Sequence, residues 1–100
     1  MQVLKNTPHR LSEIWKLDHE TSTVVVLGPD GIVKLNQLGS AIWLRLDGEH
    51  TITSIIGELT IAYPSQEQVQ IEKDVVEFIN NLVVNNLVIL RWNPLYKKVF

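Results

Sequence analysis

The chain contains no cysteine, which excludes disulfides, thiolate metal sites and a Cys nucleophile. Its five glycines are scattered, and none forms a Gly-x-Gly-x-x-Gly turn or a Gly-x-x-x-x-Gly-Lys loop, so no phosphate cradle is present. Positive charge is sparse: nine Lys and Arg stand against eleven Asp and Glu, a net of -2, which does not attract a nucleic-acid backbone or an anionic membrane. No apolar run approaches the ~20 residues needed to cross a bilayer. The segment from Met1 to Arg10 has no apolar core of the signal-peptide kind. These absences point to a soluble cytoplasmic protein with no membrane partner and no nucleic-acid partner.

Catalytic constellations are missing as well. His9, His19 and His50 fall at expected turns or strand ends, where solvated loop histidines are the plain reading, and no pair has the i, i+4 spacing of a helical metal site. Ser12, Ser22, Ser40, Ser54 and Ser65 lie in no Gly-x-Ser-x-Gly context. Glu72 and Asp74 are two apart on an expected helix and so point to different faces, which gives no acid/base pair. The reading is not an enzyme, with no cofactor and no metal.

What is present is an ordinary globular balance: 100 residues, 45% hydrophobic and 20% charged. That length suits one domain spanning residues 1–100, with a core over about 10–92 and a surface groove rather than an enclosed cavity. Met1 to Pro8 reads as an extended entry. Leu11 to Leu17 alternates as an edge strand, with Leu11, Glu13, Trp15 and Leu17 on one side. Thr23 to Leu27 is a β-branched strand. Gly28-Pro29-Asp30-Gly31 is a hairpin turn, and Ile32 to Leu35 returns.

Helical spacing then takes over. Asn36 is suited to cap a helix from Gln37 to about Leu46, with Leu38, Ala41, Ile42, Arg45 and Leu46 on one face. Thr51 caps a second, from Ile52 to about Ala62, with Ile52, Ile55, Ile56 and Leu59 inward. Ser65, with Gln68 three residues on, has the capping-box form for a third helix from Gln66 to about Asn85. Its stripe is Ile71, Val75, Phe78, Ile79 and Leu82. Leu87 to Trp92 is a short strand that returns to the sheet, and Asn93-Pro94 begins an irregular tail. The expected fold is α+β: a three-stranded antiparallel sheet packed on three helices, winged helix-turn-helix-like in outline, with a short C-terminal strand.

That outline raises nucleic-acid binding as the alternative function, and the charges oppose it. The third helix carries Glu67, Glu72, Asp74 and Glu77 against Lys73 alone, the wrong sign for a recognition helix.

One run of residues carries a family resemblance. Val25-Val26-Leu27-Gly28-Pro29-Asp30-Gly31-Ile32-Val33-Lys34-Leu35-Asn36 resembles the PqqD signature of an apolar strand, Pro-acidic-Gly, and a short strand ending in Leu-Asn. Gly39, Ala41-Ile42-Trp43, Asp47-Gly48, Thr51-Ile52 and Ile55-Ile56 continue it in order. Asp74-Val75, Phe78-Ile79 and Leu82 resemble its third-helix ending, with Leu87-Val88 after it. Asn85-Asn86 stands where a Gly is common in the family, and the tail from Trp92 lies outside the resemblance.

The resemblance implies a recognition element for ribosomally synthesised, post-translationally modified peptides. It implies a leader segment added as a strand beside Ile32–Leu35, over the third helix. The implied partners are a precursor peptide and a modifying enzyme, either a radical S-adenosylmethionine protein of the PQQ-type pathway or a leader protease of the lasso-peptide type. An exposed strand edge supports the same mode on physical grounds, because unpaired backbone groups accept an added strand. The candidate peptide-binding residues are Ile32, Val33, Lys34 and Leu35 on the edge and Ile71, Asp74, Val75 and Phe78 on the helix. Each has a plainer role: Val75, Phe78 and Leu82 as a packing face, Lys34 and Asp74 as solvated charges. Trp43, on the outer side of its helix by periodicity, is open to a partner protein, to the N-terminal strand or to a second copy. An N-terminal arm exchanged between copies would make a homodimer, and a third reading is a small structural subunit that associates through Trp43 and the tail.

Overall fold

The computed structural model describes residues 6–90. The expected tail from Asn93, the end of the strand at Trp92 and the entry before Asn6 lie outside the described residues. Among the described residues, five strands and three helices follow in the order β1 (His9–Arg10), β2 (Trp15–Asp18), β3 (Thr23–Gly28), β4 (Gly31–Lys34), α1 (Gln37–Trp43), α2 (Ile52–Ala62), α3 (Gln68–Val84) and β5 (Val88–Ile89). Strands β2, β3 and β4 form an antiparallel sheet in that order, the α+β arrangement expected.

Register follows the apolar pattern. In β3, Val24 and Val26 are fully buried, while Thr23, Val25 and Leu27 face the other way. Trp15 and Leu17 of β2 share the inner side, with Trp15 opposite Val26 and Leu17 opposite Val24. Gly28 and Gly31 are partners at the hairpin, leaving Pro29-Asp30 at its tip. Gly31 has φ +123°, a conformation side-chain-bearing residues rarely adopt.

The edge strand is shorter than its alternation implies. The paired register covers Trp15–Asp18, extended by the backbone bond from Leu27 N–H to the Ile14 carbonyl, and Leu11 is 49% exposed. The C-terminal strand does not return to the main sheet. Its Val88–Ile89 pairs with β1, two residues that fall between the expected N-terminal segment ending at Pro8 and the expected edge strand beginning at Leu11. The same segment shortens α1: the Arg10 N–H donates to the Leu46 carbonyl (2.9 Å) and Asp47 bridges to His9, so the chain at Leu46–Asp47 pairs with β1 instead of continuing the helix.

Helix α2 has the expected bounds and caps, with the Thr51 hydroxyl accepting from the Ser54 N–H. Helix α3 starts two residues later than expected: Glu67 is its N-cap, without a side-chain cap, and Ser65 lies in the preceding turn. Its buried stripe Ile71, Val75, Ile79 and Leu82 meets Ile52, Ile55, Ile56 and Leu59 of α2 in one core with β3. Each such side chain contributes roughly 1.5–3 kcal/mol on burial. No helix of the described residues is long and apolar enough to cross a membrane.

Trp43 is fully buried, a correction to its placement on the outer side of α1. This short helix lies against β3, and Trp43 meets the Trp15 ring edge to face at 6.4 Å, with the Arg10 guanidinium 5.1 Å from the centre of the Trp15 ring. Of the three options, the N-terminal strand region is its neighbour.

Candidate functional site: a groove beside an open strand edge

The ladder sets which backbone groups of β4 are open. Leu35 N–H donates to the Val24 carbonyl (2.9 Å). Bonded pairs recur at every second residue of an antiparallel ladder, so Val26–Val33 and Gly28–Gly31 are the next bonded pairs. Ile32 and Lys34 therefore turn their N–H and C=O groups away from β3. The opposite flank of β3 agrees with this phase, because Leu27 N–H donates to the Ile14 carbonyl (2.9 Å). Among the described residues no strand pairs with the outer side of β4.

Where β4 ends, a side chain replaces the ladder. The Val24 N–H donates to Ser40 Oγ at 2.7 Å, and Ser40 is only 1% exposed. Asn36 then turns the chain into α1, its Oδ1 accepting from the Gly39 N–H at 2.7 Å.

Helix α3 forms the facing wall. Its C-terminus closes with Leu87 N–H donating to the Leu82 carbonyl (2.8 Å) and Asn86 N–H to the Val83 carbonyl (3.1 Å). Asn86 takes φ +61°, the left-handed role expected of Asn in place of Gly. This closure folds Leu87 back beside Leu82 and under the hairpin.

Two cavities lie along the wall. One, of about 320 Å³, is bounded by the hairpin from Gly28 to Val33, by Leu35, and by Phe78, Asn81, Leu82, Asn85 and Leu87. The other, of about 330 Å³, is bounded by Asn36, Leu38, Gly39 and Ile42 and by Asp74, Glu77, Phe78 and Asn81. They share Phe78 and Asn81, so they form one groove with an apolar end near the hairpin and an acidic end near α1.

The expected site residues divide. Ile32 (75% exposed), Val33 (37% exposed) and Leu35 line the apolar end, and Asp74 the acidic end. Phe78 lies between them. Lys34 is exposed on the edge and lines neither cavity. Ile71 and Val75 are fully buried and line neither, because their helical positions face α2 and the core. Asn81, Asn85, Glu77, Leu82 and Leu87 line the groove and were not among the expected site residues. The signal for the first two was their i+3 and i+7 spacing from Phe78, which puts polar side chains on the flank of an apolar stripe.

Away from the groove, His50 is not a solvated loop residue. Its Nδ1 lies 2.8 Å from Asp47 and its Nε2 2.8 Å from Glu58. Burial raises the Asp47 pKa, but hydrogen bonds from the His50 and Glu49 amides and the His50 ring outweigh it and hold the carboxyl below its ordinary value. Glu58 is held low chiefly by the Arg45 guanidinium, 3.0 Å away.

Fold and groove define a small α+β domain in which a three-stranded sheet ends at an open edge beside a helix wall. The chain belongs to the PqqD family, described as coenzyme PQQ synthesis protein D, which matches residues 23–88. A PqqA binding protein of Methylococcus capsulatus is 31% identical over 87 residues, covering 85% of this chain and 90% of the relative. PqqA binding proteins of Stutzerimonas stutzeri and Azotobacter vinelandii are 36% and 40% identical over 55 residues, matches that span 58% of each relative's length. The solution structure of the PqqD truncation of Methylobacterium extorquens PqqCD, described as a functional and stand-alone RiPP recognition element, shares the fold. Its TM-score is 0.65 at 19% identity, over 89% of this chain and 99% of that one.

Proposed function

We propose that this protein is a non-catalytic recognition protein that binds the leader segment of a ribosomally synthesised precursor peptide, of the PqqA type. The leader adds as a strand to β4, and the complex presents it to a modifying enzyme in the cytoplasm. The observation that carries this reading is the open edge: Ile32 and Lys34 turn backbone donors and acceptors away from β3, on the strand whose Ile32, Val33 and Leu35 line the groove. Main-chain bonds would give affinity, and the groove would select alternate side chains. The names of the relatives support a binding role rather than catalysis. A radical S-adenosylmethionine enzyme or a leader protease is the kind of partner that would receive the peptide.

The test is calorimetric and NMR titration with a synthetic PqqA peptide of Methylococcus capsulatus. Saturable binding with shifts at Gly31–Asn36, Phe78 and Asn81 is expected. Absence of saturable binding, or shifts confined to α2, would sink the reading.

A further inference from the structure

Gly39 sits in α1 with no left-handed φ, so its backbone does not require glycine. Alanine is the better helix former at such a position. Space explains the residue instead. A Cβ on Gly39 would lie 2.9 Å from Phe78 Cε1, 3.0 Å from Phe78 Cζ and 3.0 Å from Asn36 Oδ1. The Phe78 ring therefore rests directly on the bare Cα of Gly39.

Phe78 and Asn81 border both cavities, and the Phe78 ring is the larger of the two side chains between them. On one side stand Val33, Leu82 and Leu87; on the other, Asn36, Asp74 and Glu77. Inward side chains of an added strand are alternate residues, roughly 7 Å apart. A divider in this place would send two of them into compartments of unlike chemistry, one apolar and one acidic.

We infer that Gly39 is a positioning residue for peptide recognition: it seats the Phe78 ring as the partition between two side-chain compartments of the groove. The inference rests on the peptide-binding reading above. A methyl at residue 39 would displace the ring, because the ring edge is the free end of a side chain and the helix backbone is not. The partition would then tilt into the groove while the core beneath it stays packed.

The experiment is a mutant cycle read first without peptide. Methyl spectra of Val33, Leu82 and Leu87 are recorded for the wild type, Gly39→Ala, Phe78→Leu and the double variant. Gly39→Ala should shift these methyls in the wild-type background and leave them unmoved in the Phe78→Leu background, where no ring remains to displace. Equal shifts in both backgrounds would place the effect at the Asn36 cap and overturn the inference, as would no shift in either.

The second reading is affinity for the PqqA peptide. Gly39→Ala should weaken it about tenfold in the wild-type background and much less in the Phe78→Leu background. Unchanged affinity in Gly39→Ala would overturn the role in recognition. If the wild type fails to bind the peptide, the functional reading fails, and the methyl cycle still decides whether Gly39 seats the ring.

Discussion

Replacing Lys34 by proline separates the open edge from the ladder. The register places the Lys34 N–H outward, so Lys34→Pro removes a donor to an added strand without removing a bond to β3. Proline is tolerated on edge strands for this reason, and it holds Val33 in the extended conformation that residue already has. The lost interchain hydrogen bond is worth about 1 kcal/mol net, and the peptide carbonyl left facing the proline ring adds ~1–3 kcal/mol. The sum corresponds to a loss of affinity of about 30-fold to 1,000-fold. Lys34→Ala controls for the charge and should lose much less. Val33→Pro controls for the phase: its N–H belongs to the bonded pair with Val26, so the fold itself should lose a ladder bond worth about 1 kcal/mol and a further ~1–3 kcal/mol for the Val26 carbonyl left unpaired. Affinity is read by calorimetry with the PqqA peptide and stability by urea unfolding. Equal affinity losses for Lys34→Pro and Lys34→Ala would refute strand addition at this edge. Unfolding of Lys34→Pro as severe as that of Val33→Pro would refute the assigned phase.

Three further perturbations have expected outcomes. Ser40→Ala leaves the Val24 N–H without its buried acceptor and should cost ~1–3 kcal/mol in urea unfolding. Trp43→Ala empties the space beside Trp15 and should cost about 3–5 kcal/mol, with a large drop in Tm. The Asp47 carboxyl is held below its ordinary value of 3.8, so its contribution is present above that value and lost as pH falls through the lower folded-state value. Asp47→Asn should therefore flatten the acid limb of the stability–pH curve measured by urea midpoints, and an unchanged limb would contradict the Asp47 hydrogen bonds.

Much of this fold was legible because its elements obey one period each. Thr23–Gly28 alternates against a β-branched background, and Ile52–Ala62 keeps its apolar residues on one helical face between Thr51 and Tyr63-Pro64. What was not legible depends on distant chain. Arg10 pairs with Val88 and bonds to Leu46, so the end of α1 and the place of the last strand are decided by residues far apart in sequence. Trp43 followed no helical face, because α1 is covered by β3 on one side and meets Trp15 on another.

The edge half of the candidate site was readable from the hairpin, and the helix half only in part. Periodicity placed Ile71, Val75 and Phe78 on one stripe, yet only Phe78 stands at its margin beside α1 and the hairpin. Leu87 reaches the groove through the turn at Asn86, a backbone closure that helical spacing does not encode.

Strand addition at β4 is tested most directly by residue-resolved hydrogen exchange with and without the PqqA peptide. The Val33 amide, already bonded to β3, should be protected in both states, while the Ile32 and Lys34 amides should become protected only when the peptide binds. Saturable peptide binding that leaves the Ile32 and Lys34 amides exchanging at their unliganded rates would contradict it.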